Sequence, residues 1–192
     1  MARPLKIKKV LPSDPIDKAA VRILRTRLKE FYSHWPDPGR DPTPEELHNL
    51  RISGKRLRYS AECLSELYPD KLALLIEMLK RSQDLLGAYQ DCIVQQRMIE
   101  EDLERLRVRD GRSKDIPVLE ELIAKYEKRR THLFAQFRRI WLGMSSDEFR
   151  HSLKKMITNI KTEQDEPHLK NGTQMTQIKR IFTDTDITRN NS

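Results

Sequence analysis

The stretch that decides the fold is LHNLRISGKRLRY, residues 47–59. Its basic residues include His48, Arg51, Lys55 and Arg58. Successive residues of an α-helix are about 100° apart, so these four lie within about 80° of one another, along about 15 Å of the axis. Leucines on the neighbouring arc supply the face that such a helix buries. The stretch therefore predicts an amphipathic helix, and we refer to its four aligned basic residues as the cationic stripe.

The charge of this stripe predicts a polyanionic ligand. No acidic residue follows Arg51, Lys55 or Arg58 before Glu62, so we expect the cations to be uncompensated. Polyphosphate, RNA and DNA present regularly spaced oxyanions, and a line of cations binds them with release of counterions. Arginine offers forked donors, lysine a point charge, and histidine a charge that switches on near neutral pH. The alternative is a solvated face that binds nothing.

Helical periodicity predicts five helices and no strand. Asp14 is expected to cap the first helix, and Gly143 to end the fourth. The predicted helices run from about Pro15 to Trp35, from Pro44 (capped by Thr43 and Glu46) to Tyr68, from Lys71 to Arg109, from Pro117 to Leu142, and from a Ser145 cap to Ile160.

These elements predict an all-α fold, an antiparallel bundle of four long helices plus a short C-terminal helix. The helical domain is expected over residues 15–161. A basic extension, residues 1–14, precedes it, and a flexible polar tail, residues 162–192, follows it.

The composition narrows the compartment and the class of partner. The chain has 37 Lys and Arg against 29 Asp and Glu, a formal net charge of +8, which favours anionic partners. No apolar run approaches the roughly 20 residues of a membrane helix, and the N-terminus lacks the apolar core of a secretory signal. The two cysteines, Cys63 and Cys92, are expected to be buried, reduced thiols. We therefore expect a cytoplasmic protein without a membrane partner.

Enzymatic motifs are not found. The chain contains no glycine-rich phosphate loop, no paired-cysteine motif and no HExxH, so we expect no catalytic residue, metal or cofactor.

Aromatic residues make up 6% of the chain, mostly at core spacing, which disfavours base stacking. A nucleic-acid binder and a helical protein–protein interaction scaffold remain alternatives, and a phosphohydrolase is a third. Basic residues on other helices are second-tier candidates for the polyanion: Arg22, Arg25, Arg129, His132, Arg139 and Lys154.

Two segments resemble the CHAD family, the conserved histidine α-helical domain: residues 47–64 (LHNLRISGKRLRYSAECL) and residues 79–98 (LKRSQDLLGAYQDCIVQQRM). Residues 128–141 and 149–153 also look like the end of such a domain. The residues that match the family pattern are His48, Arg51, Lys55, Arg56, Arg58 and Tyr59, followed by Gln83, Asp84, Leu86, Gly87 and Asp91.

The resemblance implies a helical domain that binds inorganic polyphosphate through a basic, histidine-containing surface and is not itself an enzyme. It adds Arg56 to the expected binding residues, with Tyr59 and Asp91 as orienting residues, and it points to association with polyphosphate granules. A full CHAD domain has two similar halves, whereas this chain carries the motif once and resembles the second half. We expect the missing half from a second copy by two-fold association, from another polypeptide, or not at all.

Overall fold

The computed structural model describes residues 3–8, 10–35, 37 and 39–159. The predicted all-α class is confirmed, since these ranges contain helices and no strand. Residues 162–192, predicted to be a flexible tail, lie outside the described residues. The helices are α1 (Ile16–Ser33), α2 (Pro44–Leu64), α3 (Pro69–Arg109), α4 (Asp115–Ser145) and α5 (Asp147–Thr158), four long ones and a short fifth.

The capping box at the start of α2 is confirmed. The Thr43 hydroxyl accepts a hydrogen bond from the Glu46 backbone N–H at 3.2 Å, and the Glu46 carboxylate accepts from the Thr43 N–H at 2.8 Å. A hydrogen bond from Arg40 to Glu46, with the Thr43 bonds, holds the pKa of the Glu46 carboxyl near about 2. The predicted end at Tyr68 is wrong, because the chain must turn before α3 begins at Pro69, and α2 stops at Leu64.

The cap predicted at the N-terminal end of α1 is wrong. Pro15 rather than Asp14 occupies the N-cap position, without a side-chain cap. The Asp14 carboxylate instead accepts hydrogen bonds from Arg22 at 2.5 Å and from the Leu11 backbone at 3.0 Å. Ile16, the first residue of the helix, is 48% exposed.

Two further predictions fail at the junction between α4 and α5. Gly143 lies inside α4, which continues to Ser145, so it does not end the helix. Ser146 rather than Ser145 caps α5, and its hydroxyl accepts from the Phe149 N–H at 3.2 Å. Cys63, expected to be buried, is exposed, whereas Cys92 is buried, and both thiols are free.

The chain divides into two compact units. The first comprises Met1–Gln83 and Arg139–Ser192, with α1, α2 and α5 complete, and the second comprises Asp84–Arg138. The second unit is an antiparallel hairpin, since the Tyr89 ring lies 6.0 Å from the Phe134 ring and Arg107 pairs with Glu120 at 2.7 Å nearer the turn.

The apolar core of the first unit lies between the inner faces of its helices. Burying these side chains is the main favourable contribution to folding, about 1.5–3 kcal/mol for each large one. The buried residues include Ala20, Leu24, Leu28 and Phe31 of α1, Leu47, Leu50, Leu57 and Ala61 of α2, and Trp141, Phe149, Leu153 and Ile157 near the C-terminal end.

Gly54 sets the close approach of α2 to α1. A Cβ atom at this position would lie only 3.2 Å from Cε2 of Phe31, so a hydrogen atom fits there far better than a methyl group. Phe31 is itself confined, because its ring packs at 5.1 Å, edge to face, against the ring of Trp35. The glycine in the middle of α2 therefore has a packing role that outweighs its cost to helix propensity.

A buried carboxylate links α1, α2 and the N-terminal segment. The Glu30 side chain is 1% exposed and accepts hydrogen bonds from the guanidinium groups of Arg27 and Arg56. The backbone N–H of Leu5 donates to the same carboxylate at 3.4 Å. Burial alone raises the pKa of the Glu30 carboxyl, but the bonds and charges of Arg56 and Arg27 outweigh it and lower the pKa. Glu30 is therefore a buried, ionised anchor.

Replacing Glu30 with glutamine should lower the free energy of unfolding at pH 7 by about 1–3 kcal/mol, because two arginines lose their counter-charge. A carboxyl whose pKa is lowered by folding stabilises the native state above its unfolded pKa, and this contribution is lost as the pH falls through the folded pKa. The variant should therefore lose less stability than the wild type between about pH 5 and pH 3. Urea unfolding at several pH values measures both effects.

Glu66→Gln is the matched control. Glu66 belongs to the same unit, lies just after the end of α2 and is exposed. Its unfolding curves should follow those of the wild type at each pH. Equal stability losses in the two variants would show that the Glu30 carboxylate is not an anchor.

Candidate functional site

The cationic stripe lies along α2 in the first unit. Lys55 is exposed, while His48, Arg51 and Arg58 are half-buried, so none of the four is withdrawn from solvent. The opposite side of the helix carries buried leucines, including Leu50 and Leu57. The helix therefore presents the stripe outward from a fixed apolar base.

Arg58 is held by three neighbours. Its Nε donates to Oε1 of Gln83 at 2.9 Å, and its Nη1 donates to Oε1 of Glu62 at 2.7 Å. The guanidinium also lies 4.8 Å from the centroid of the Tyr59 ring. The expectation that the stripe is uncompensated is wrong at Arg58, because Glu62, one turn further along α2, reaches back to it.

Arg56 is compensated by a distant partner. Its guanidinium pairs with the buried carboxylate of Glu30, on α1, and its side chain is 27% exposed. Arg56 lies about 140° from Arg51 around the helix, which turns it away from the stripe. The expected binding residue Arg56 therefore has a structural partner that spacing along α2 could not reveal.

The other three stripe residues differ from Arg58 in their charge partners. Within the described ranges, no carboxylate forms an ion pair with His48, Arg51 or Lys55. The Nε atom of Arg51 and the Nε2 atom of Gln83 are both shielded from solvent, and neither has a hydrogen-bond partner. An unsatisfied shielded donor is costly, but neither atom is accessible from solvent, so neither marks a ligand contact.

Tyr59 contributes an aromatic face to the stripe. Its ring is 46% exposed and lies near two cations, the Arg58 guanidinium and the Lys55 ammonium, whose Nζ is 5.6 Å from the ring centroid. Contacts of this kind stabilise a cation by about 0.5–1 kcal/mol at exposed sites. This geometry fits the orienting role expected of Tyr59, which remains a prediction.

The second-tier candidates of the first unit occupy α1, α5 and the end of α4. Arg22 pairs with Asp14, and Arg25 donates to the Thr158 hydroxyl at 2.7 Å, so α5 runs beside α1. Lys154 on α5 and Arg139 on α4 are exposed. On α1, Arg22 and Arg25 lie on a different side from the Glu30 anchor that meets α2. The structure therefore does not bring Arg22 or Arg25 into the cationic stripe.

The remaining candidates belong to the second unit. Arg129 and His132 are exposed on α4, and Asp91 is exposed on α3. The His132 Nε2 lies 2.8 Å from Nε2 of Gln136, one turn along the same helix. The orienting role expected of Asp91 remains a prediction.

Two residues of this region were not predicted as site residues. Gln83, which fixes Arg58, lies within the second segment of the family pattern, so that pattern carried a signal for it. Glu30 has no comparable signal, because its partner Arg56 is 26 residues away in sequence. Only the packing of α1 against α2 brings that pair together.

Two broader features of the described residues bear on the class of protein. None of their helices is both long enough and apolar enough to cross a membrane. No group of three or more His, Cys, Asp or Glu side chains in the same part of the chain is arranged to hold a metal ion.

Comparison with known proteins adds one match. The model of the CHAD domain family matches residues 2–100, just over half of the chain, including α1, α2 and most of α3. The matched range contains the cationic stripe and Gln83 but not the segments at 128–141 and 149–153. No curated protein and no solved structure matches the chain.

Proposed function

We propose that this chain, which belongs to the CHAD family, binds inorganic polyphosphate through the cationic stripe of α2. The observation that carries the proposal is that His48, Arg51 and Lys55 are aligned on one face without a carboxylate partner among the described residues. The proposed role is binding alone, in the cytoplasm and at polyphosphate granules.

The geometry of the stripe suits a polymer better than a single phosphate. A residue pair three or four positions apart on a helix is separated by about 5–6 Å, so the stripe offers donors at successive intervals along an extended anion. Each phosphate contact releases condensed counterions, which makes the affinity grow with the number of cations in line. Arg51 and Lys55 are the proposed central contacts, with His48 and Arg58 on either side.

The neighbours of the stripe support ordered binding. Gln83 and Glu62 hold Arg58 in one orientation, which lowers the entropy lost when a ligand binds to it.

The double variant Arg51→Ala with Lys55→Ala should weaken binding of a long-chain polyphosphate roughly 10- to 100-fold at about 0.1 M salt. The slope of log Kd against log salt should become shallower by about one to two, because two phosphate contacts are lost. Titration at several salt concentrations measures both quantities.

The matched control is Arg112→Ala with Lys114→Ala, which removes the same formal charge from exposed residues of the turn between α3 and α4. It should leave the slope near that of the wild type. An unchanged slope in the α2 variant would remove the stripe from the site.

Competition tests the nucleic-acid alternative, because a polyphosphate ligand should displace RNA far better than RNA displaces polyphosphate. The interaction-scaffold alternative predicts that neither polyphosphate nor RNA binds.

His48 should make binding depend on pH. Protonation of an imidazole adds a cation to the stripe, so the affinity should rise by about two- to fivefold from pH 8 to pH 6. His48→Gln should flatten this profile, while His151→Gln, at an exposed position of α5, should keep it. Identical profiles for the wild type and His48→Gln would place His48 outside the site.

A binding role predicts that polyphosphate is not cleaved. The stripe consists of hydrogen-bond donors and cations, and the nearby Glu62 carboxylate is engaged by Arg58. Incubation with polyphosphate and Mg²⁺ should therefore release no orthophosphate. Sustained release that is abolished by Arg51→Ala would contradict the binding-only proposal.

A further inference from the structure

The α3–α4 hairpin of the second unit has one side on which apolar groups are left open. On α3, Asp91, Met98 and Asp102 fall within about 40° around the helix axis. On α4, Val118, Lys125 and Arg129 fall within about 40° of one another. Asp102 and Val118 line the same shallow pocket, so the two arcs lie on the same side of the hairpin. We call these six residues the hairpin face.

The hairpin face combines exposed apolar groups with separated charge. Met98 is 54% exposed and Val118 is 60% exposed, and Leu122 and Leu133 on the same side of α4 are half-buried. These apolar groups are spread along the face rather than gathered in one patch, so the charged residues between them must supply the specificity of a contact. The charged residues of the face are acidic on α3 and basic on α4.

The same division of charge holds over part of both helices. Residues 91–104 of α3 contain five carboxylates and one arginine, whereas residues 125–138 of α4 contain five Lys or Arg and one glutamate. Nearer the turn the division ends, and Asp102 pairs with Arg105 of its own helix at 3.0 Å. The Tyr89–Phe134 and Arg107–Glu120 contacts set the register of the hairpin. In this register Asp102 is level with Lys125, and Asp91 is within about one turn of Arg129. The hairpin therefore has an acidic edge and a basic edge at the same height.

From this pattern we infer that the hairpin face binds the hairpin face of a second copy of this chain. A two-fold axis parallel to the long axis of the hairpin lays α3 of each copy along α4 of the other. Asp91 of each copy then lies opposite Arg129 of the other copy, and Asp102 lies opposite Lys125. By symmetry each pair forms twice, around the apolar groups. A two-fold axis across the hairpin would instead set α3 against α3 and acid against acid, which the charges oppose.

The size of the face suits a weak dimer. Its six residues extend over about 24 Å of the hairpin, and two helices side by side are about 20 Å wide, so the face covers about 500 Å². Burying it on both copies removes about 1,000 Å² from water, at the low end of the range for specific protein–protein interfaces. The four helices would form a bundle whose centre contains Met98, Leu122 and Leu133.

Charge reversal tests this arrangement on the full chain. Asp91→Lys with Asp102→Lys should raise the dimer dissociation constant at least about 100-fold, because like charges then meet twice. Lys125→Glu with Arg129→Glu should do the same. An equimolar mixture of the two variants should restore a heterodimer, since each altered helix then meets its opposite charge. Sedimentation and native mass spectrometry measure these states without any polyphosphate present.

The matched control reverses two acids on the other side of α3. Glu100 and Glu104 are exposed on the arc that contains Arg107, which reaches Glu120 away from the hairpin face. Glu100→Lys with Glu104→Lys should dimerise as the wild type does. Far-ultraviolet circular dichroism shows whether each variant keeps its helices.

Three results would overturn the inference. One is a wild-type chain that stays monomeric up to about 100 μM. This result would count against the inference even if residues 160–192 of the same chain covered the hairpin face. Another is a dimer that the control variant weakens as much as the face variants do. The third is folded face variants that fail to associate when mixed. None of these results bears on polyphosphate binding by α2, so the two proposals can fail separately.

Discussion

The Glu30 carboxylate is the contact on which the arrangement of α1 and α2 depends. It is withdrawn from water and satisfied by Arg27 and Arg56, and the Leu5 backbone donates to it as well. An ionised group is stable in such a place only when its hydrogen bonds are made, so the three segments must meet in one geometry. Next to it, Gly54 allows α2 to approach Phe31 closely. Polar and steric constraints thus determine how α2 is rotated, and with it where the stripe faces.

Arginines in this region divide into those that support the structure and those left for a ligand. Arg56 serves the buried anchor, and Arg58 is oriented by Gln83 and Glu62. Arg51 and Lys55 have no carboxylate partner among the residues described, so their charge acts on whatever approaches α2. A basic helix therefore contains fewer binding cations than its composition indicates, since several are neutralised within the fold.

The two units carry charge in different ways. In the first, cations accumulate on one face of α2 and so favour a partner that is anionic throughout. In the second, acidic and basic residues are separated onto facing helices, which favours a partner with the same separation in reverse. A second copy of the chain has that property by symmetry. On our proposals the first unit binds the ligand and the second brings two chains together.

Local sequence determined the helices, the capping box at Thr43 and the buried leucines of α2, because each depends on residues within about four positions. The CHAD motif likewise lies in short stretches that can be recognised without coordinates. Errors occurred at the ends of helices: Asp14 pairs with Arg22 instead of capping α1, and α2 ends at Leu64 because the chain turns before α3 begins at Pro69. Only tertiary structure decided which cations are free, because Glu30 reaches Arg56, and Gln83 reaches Arg58, across more than 20 residues of chain.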